Sequence, residues 1–538
     1  MTSLSGTAAL LRLAVRRDRF GLPAGVYVIV VAVAGTGYTF KRLYPTAAGR
    51  AALAATGAAN PAFRFLYGRP DGSSLGALTT WRYGIWAGIF AALLTIVLVI
   101  RHTRTDEEAG RLELVGSAAV GRHAALTAAL ALVVLVNLVI AGLLCVVLPL
   151  AGLAWVGSVA LATSIGACGL AFGGISVVAA QLVSGARTAR GIALAVLGVA
   201  FMLRGVGDAS GSGGLSWLSW VSPLGWIEAL RPFGAAPFGS ERWWVLCLPL
   251  AAGLCGAGFA FLLAARRDLG AGLLPDRPGR PGASVFLRGP FGLAWRLQRG
   301  TLAGWALGYA VVFAASGAAA QGIGQLVGTS SALQREFTRL GGQAAITNAY
   351  LAALMLLAGL VSAAYATAAV LRLRSEETGD RAEPVLAAAV GRVRWGLSHV
   401  VVAVLGSAAL LAVAGVATGL GYGVRIGSAG FWTGHMLGAA FGQLPAVLVL
   451  AGVAVLLFGL RPTWSVAGSW TVVSVAALLM LFGQALALSH WVLDVSPFAH
   501  VPRLPGGTVS ATPLIVLVVV AVAGAVAGLA AFRGRDIG

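Results

Sequence analysis

The stretch 124–150, AALTAALALVVLVNLVIAGLLCVVLPL, contains no charged residue. As a helix it exceeds the about 20 residues needed to cross a hydrocarbon core of about 30 Å, where unpaired backbone groups find no water. Outward from it, eleven more apolar runs obey the same rule, near 22–40, 82–100, 157–183, 190–206, 243–265, 301–323, 348–371, 396–421, 435–460, 464–487 and 511–532. The chain is therefore expected to be an all-α polytopic membrane protein with about twelve transmembrane helices. Composition agrees, with 58% of its 538 residues hydrophobic and 10% charged, against about 25% charged in soluble domains. A mean hydropathy of +0.88 excludes a disordered, collagen-like or ordinary cytosolic chain.

Thirty-eight Lys and Arg against 18 Asp and Glu give a net charge of +20. In a soluble protein that balance would point to nucleic acid. Here the basic residues lie in short gaps between apolar runs, as positive-inside loops do, so no nucleic-acid partner is expected. Placing both termini and every second loop in the cytoplasm puts roughly two thirds of the basic residues inside. Ala32-Val33-Ala34 resembles a signal-peptide cleavage site. The matching mid-chain run at 301–323 has the length of a span and argues against cleavage. Cys145, Cys168, Cys247 and Cys255 lie in apolar runs without a CxxC and read as packing residues.

Four signatures recur in order. Glu107-Glu108-Ala109-Gly110 returns as Glu376-Glu377-Thr378-Gly379, offset by 269. Ala119-Val120-Gly121-Arg122 returns as Ala389-Val390-Gly391-Arg392, offset by 270. Ser222-Pro223 returns as Ser496-Pro497, and Arg267-Asp268-Leu269-Gly270 as Arg535-Asp536-Ile537-Gly538. The expected organisation is a six-span domain over 1–265, a cytoplasmic linker over 266–288 with Pro275, Pro278 and Pro281, and a second six-span domain over 289–538. Six is even, so the repeats would insert with the same orientation. Ahead of each lies a basic segment, with Arg12, Arg16 and Arg19 in the first and Arg296 and Arg299 in the second. Each fits an interfacial amphipathic helix or plain positive-inside anchoring.

The loop after the second span of each half has the densest charge. Glu107 and Arg111, like Glu377 and Arg381, are four apart, which predicts a short surface helix with internal ion pairs. Orientation alone would need only the basic residues, so the repeated acids favour a docking helix over a solvated turn. The only lysine is Lys41, and no GxxxxGK[ST] occurs, so ATP could act only through a separate chain. The six His and four Cys make no metal-ligand spacing, and no GxSxG elbow is present. Gly169 with Gly173 and Gly524 with Gly528 read as close helix packing. Arg204 reads as an edge residue snorkelling to water, and Asp71, Asp208, Glu228, Glu241, Glu336 and Asp494 as single acids scattered over outer loops.

The EExG segment before the third span, the SPxGW stretch before the sixth and the RRDxG end resemble ABC-2-type permeases of actinobacterial antibiotic and multidrug exporters in fused two-half form. The resemblance covers essentially the whole chain. It implies type V-like transmembrane domains in a bacterial cytoplasmic membrane. Two copies of a separate ATPase would bind ATP and Mg, this chain itself binding no cofactor. Coupling helices would contain Glu107, Glu108, Gly110, Arg111 and Glu113, and Glu376, Glu377, Gly379, Arg381 and Glu383. The second copy departs by one extra residue before Glu383 and by Pro384. Re-entrant outer hairpins would carry Ser222, Pro223 and Trp226, and Ser496 and Pro497. A path for hydrophobic drugs, lined by the first, second and fifth spans, would involve Tyr27, Trp86, Phe90, Met202, Trp305, Tyr309, Met355 and Tyr365. Each of these fits core packing or a lipid-facing position as well.

Two other functions fit a duplicated membrane chain. An ion-driven multidrug transporter would want paired ionisable groups within the spans, which are few. A membrane enzyme acting on lipid-linked sugars would want converging acids, which the loops do not display.

Overall fold

A computed structural model describes residues 3–211, 213–234, 239–268, 270–275, 282, 284–287, 289–327, 343–482 and 488–536. Pro278 and Pro281 of the linker, Leu269, Ile537, Gly538, Glu336 and the last residues of the 464–487 run lie outside them. Among the described residues, twelve helices are long and apolar enough to cross a membrane. Six belong to a first compact unit: Gly21–Leu43, Leu75–Glu108, Ala124–Leu150, Trp155–Leu182, Ala186–Ala209 and Trp243–Ala265. Six belong to a second: Pro290–Gly322, Ala345–Glu377, Arg392–Arg425, Ala429–Leu460, Pro462–Leu481 and Ala511–Gly534. Within each unit we call the end holding the second-to-third span connection basal and the opposite end apical.

The third span of the first unit illustrates how the packing arises. Leu132, Val136, Ile140, Leu144 and Leu148 recur every four residues and are buried, whereas Leu135, Leu138, Val139, Leu143 and Val146 are exposed. The helix is apolar all round and buries one stripe, as a span between protein and lipid does. Van der Waals contact holds such helices, so backbones must approach closely. A Cβ on Gly174 of the fourth span would fall 2.8 Å from the Gly253 carbonyl oxygen of the sixth. In the second unit a Cβ on Gly459 would fall 2.0 Å from the Gly528 oxygen. Gly169 and Gly173 instead meet the third span at Asn137 and Val133. Of the four cysteines only Cys168 is buried; Cys247 and Cys255 are exposed on the sixth span.

Thr7–Arg17 forms a separate helix ahead of the first span, with Arg12 and Arg16 exposed and Ala14 buried. The second unit differs, because Arg296 and Arg299 lie in one continuous helix from Pro290 into the span. The break in the first unit is at Asp18, which turns inward to Arg101 at 2.9 Å and His102 at 2.6 Å. Apically, the first-to-second span connection holds two helices the sequence reading did not include. Thr46 caps Ala47–Ala59 and Asn60 caps Pro61–Tyr67, each side-chain oxygen accepting a first-turn N–H.

Candidate functional site

At the basal end of the first unit, the second span widens through a π-turn at Arg101–Thr105 and continues as Asp106–Glu108. Arg104 is fully buried and donates to the Ala180 carbonyl at the end of the fourth span. It also donates to Ala271, beyond the sixth span, at 2.9 Å and to Glu107 at 3.0 Å. Glu107 in turn accepts Arg267 at 2.6 Å and the Gly270 N–H at 2.6 Å. Arg267 reaches Gln181 on the fourth span at 2.6 Å. One carboxylate and two guanidiniums thus tie the ends of the second, fourth and sixth spans together. Such charge-assisted bonds are among the stronger polar contacts.

The second unit builds a hub of the same design. Glu377 accepts Arg374 at 2.9 Å and Arg535, which also donates to the Phe458 carbonyl at 3.0 Å. Arg122 and Arg392, at the starts of the third spans, donate to the last carbonyls of the sixth spans, Ala264 and Ala265 in one unit and Arg533 and Arg535 in the other. Cations there satisfy carbonyls left open at a helix end.

This geometry corrects the register of the repeat. Glu107 matches Glu377 and Asp106 matches Glu376, at a constant offset of 270, so there is no extra residue before Glu383. Arg111 reaches back to Asp106 at 2.8 Å, and Arg381 to Glu376 at 2.8 Å. Gly110 has φ +67° and Asp380, its counterpart, φ +55°. The expected pairs Glu107–Arg111 and Glu377–Arg381 therefore do not form. The left-handed residue between acid and arginine ends the helix and turns the arginine back to the preceding acid.

The side chains of Glu107, Glu376 and Glu377 are buried in these contacts, so they are not exposed footholds. Glu108 accepts the Ala186 N–H at 2.6 Å and caps the fifth span. Its counterpart Thr378 faces a fifth span starting at Pro462, which has no N–H to cap. What protrudes is the short helix Arg111–Gly116, with Glu113 exposed and Leu114 76% exposed, and Ala382–Ala387, with Glu383 and Pro384 exposed. Gly379 is exposed just before Asp380. Pro384 does not break the second helix.

Apically, the first unit contains a cluster the sequence reading missed. Arg204 is completely buried instead of snorkelling. It donates to the Phe65 carbonyl at 2.8 Å, to Arg64 at 3.4 Å and to Asp208 at 3.3 Å, with Glu228 3.7 Å away. Asp208 also accepts Ser219 at 2.7 Å. Burial pushes Asp71 up to about 6, against the attraction of Arg231 and Arg242, and the charge of Asp208 adds to the rise. Asp71, Asp208 and Glu228 therefore converge, whereas Glu241 and Asp494 stand apart. The spacing Arg204–Asp208, four apart on one helix, was the available signal. Among the described residues, no group of three or more His, Cys, Asp or Glu could hold a metal ion.

Ser222 is buried, donates to the Ala200 carbonyl at 2.7 Å and accepts the Leu224 N–H. It thereby turns the chain at Pro223 into the short helix Gly225–Ala229. Trp226 donates to the Trp220 carbonyl, and Trp220 stacks on Trp244 at 6.0 Å. In the second unit Ser496 is buried and Pro497 opens a single turn, Pro497–Ala499.

Residues 287–533 match a family profile described as the C-terminal domain of the multidrug efflux system permease Rv1217c. The multidrug efflux system permease protein Rv1217c of Mycobacterium tuberculosis (strain ATCC 25618 / H37Rv) is 43% identical over 538 residues, covering 100% of this chain and 96% of that one. The chain belongs to the Rv1217c family of multidrug efflux permeases.

In this Rv1217c-family permease the expected path residues fall into two groups. Tyr309, Met355 and Tyr365 are buried in the core of the second unit. Tyr309 donates to the Ala358 carbonyl at 3.1 Å and meets Ser362 at 3.0 Å. These three pack the interior of the second unit. Tyr27 is exposed, Met202 and Trp305 are more than a third exposed, and Trp86 and Phe90 are partly buried. Trp86 packs on Phe201 at 6.1 Å.

Proposed function

We propose that this chain is an ABC-2-type permease in fused two-half form. It would export hydrophobic drug-like compounds across a bacterial cytoplasmic membrane, with both termini and both basal ends cytoplasmic. Two copies of a separate ATPase bind ATP and Mg and dock on Arg111–Gly116 and Ala382–Ala387. The observation that carries this reading is the hub built twice, Glu107 with Arg267 and Glu377 with Arg535. A displacement imposed on either exposed helix passes through a hydrogen-bonded hub into the second, fourth and sixth spans of its unit. Nucleotide state and span arrangement are then coupled by differential contact, as any driven change requires. Glu107 and Glu377 serve inside the hubs and Glu376 holds Arg372 and Arg381 beside the second, while Glu113, Leu114, Glu383 and Pro384 meet the partner. Tyr27, Trp86, Phe90, Met202 and Trp305 remain as cargo contacts.

The test is reconstitution in vesicles with the P-loop ATPase that co-purifies with the chain. ATP-dependent accumulation of an apolar dye, lost when the ATPase is omitted, supports the proposal. Transport by the chain alone on an ion gradient overturns it and establishes the second reading, an ion-driven multidrug transporter. The buried charges around Arg204 favour that reading.

A further inference from the structure

The hairpin of the first unit seats an acid where no free base awaits it. Glu228 lies on Gly225–Ala229, and one of its oxygens packs so tightly on Gly68 that a Cβ there would fall 1.8 Å from it. That oxygen has no hydrogen-bond partner. Arg204 and Asp208 of the fifth span and Asp71 of the 60–72 connection act on it. Arg64, Arg69, Ser219, Arg231 and Arg242 surround those groups, and the second and fourth spans also pack on the short helix, with Arg82 of the second lying over the Tyr67 ring at 4.1 Å.

Most of the positive charge is already engaged. Arg64 donates to the carbonyls of Ala58 at 2.7 Å and Ala209 at 2.8 Å. Arg69 donates to those of Gly207 and Gly211 and stands 3.9 Å from Asp208. Arg231 and Arg242 act on Asp71. Arg204 divides itself between two carbonyls and Asp208. Asp208 receives Arg204 and Ser219, and one Arg204 nitrogen stands 3.3 Å from Asp208 and 3.7 Å from Glu228, so the two carboxyl groups flank a single guanidinium. Two carboxyl groups can share a hydrogen bond only if one carries a proton.

We propose that Glu228 and Asp208 form a proton-binding site, and that the bound proton seals the hairpin around Ser219–Leu230 against the fifth span and the 60–72 connection. Glu228 is the acid and donates to Asp208. Releasing the proton leaves two carboxylates flanking one guanidinium, and their repulsion unseats the hairpin. The pH of the compartment at the apical end therefore sets how firmly the hairpin is closed. Burial raises Glu228 well above the usual carboxylate range, the charge of Asp208 adds to this and Arg204 opposes it. A raised acid binds more protons folded than released, so closure is firmest at low pH and weakens as pH rises through that raised value. Proton binding at this hairpin does not depend on what powers transport.

The experiment is hydrogen exchange on the full-length chain in lipid nanodiscs, corrected for intrinsic rates, from acid to mildly alkaline pH. Protection of the 218–230 amides in the wild type should fall by up to about tenfold per pH unit over the titration. Glu228→Gln keeps a donor for Asp208 but cannot titrate, so its protection should stay high and flat. Asp71→Asn should retain the slope at alkaline pH. A wild-type slope in Glu228→Gln, or its loss in Asp71→Asn, overturns the proposal. Infrared spectra of Asp71→Asn provide a check that needs no folded Glu228 variant. A protonated carboxylic acid band should persist at neutral pH, and its absence also overturns the proposal.

Discussion

Glu107 holds Arg267 at 2.6 Å across 160 residues of chain, joining the end of the second span to the residues after the sixth. Both side chains are largely withdrawn from solvent, so removing either leaves the other charged and poorly solvated. Glu107→Gln and Arg267→Gln should each destabilise the first unit by about 3 kcal/mol. Because they share one contact, the double variant should fall well short of the sum. Denaturant titration of all four proteins checks this, and full additivity would mean that the pair does not act as a latch.

Gly110 and Asp380 occupy the same left-handed position in the two hubs. Glycine takes that conformation freely, while an L side chain is strained there. Asp380→Gly should therefore stabilise the second unit, and Gly110→Ala should destabilise the first, each by about 1 kcal/mol. Thermal unfolding of the purified chain measures both. Equal effects of the same sign would contradict the corrected register.

The twelve candidate spans among the described residues were legible because length and apolarity alone decide whether a helix can cross the bilayer. The hubs were legible only in part. Both EE segments and both RDxG ends stood out as repeats, but the paired residues lie about 160 positions apart and leave no local spacing to read. The Glu107–Arg111 expectation failed because an i, i+4 rule assumes unbroken helix, and Gly110 breaks it. The Arg204 cluster was hidden differently. Its acids come from three separate segments, and each looks like an ordinary loop charge until Pro61–Tyr67 folds back on the fifth span.

Arg204 uses both terminal nitrogens, on Phe65, Arg64 and Asp208, in a planar fork that lysine cannot reproduce. Arg204→Met leaves Asp208 buried with its main counter-charge gone and should cost about 3–5 kcal/mol. Arg204→Lys should recover only part of the loss. A lysine variant as stable as wild type would show that charge alone matters there.

Asp71, pushed up to about 6 by burial, binds its proton more tightly folded than in the unfolded chain, where the value is about 3.9. Its contribution to stability is complete below the unfolded value and is lost as pH rises through about 6. Asp71→Asn removes that penalty. The variant should match or exceed wild type at neutral pH, with the difference vanishing below the unfolded value. Unfolding midpoints across pH test this, and an unchanged profile would argue against a buried Asp71.

The hub and the protruding helix predict separable phenotypes. Leu114 is 76% exposed and supports nothing beneath it, so a Glu113→Ala, Leu114→Ala variant should fold with wild-type stability, within about 0.5 kcal/mol. If the helix is the ATPase foothold, that variant should lose co-purifying ATPase and ATP-driven transport together. Glu107→Gln should do the reverse, keeping the surface but loosening what lies behind it. ATPase would still bind, while transport per ATP hydrolysed would fall because motion no longer reaches the sixth span. Pull-down and coupling ratio, measured on the same preparations, separate the two. Release of the ATPase by Glu107→Gln, with Leu114→Ala silent, would return the foothold to the acids themselves.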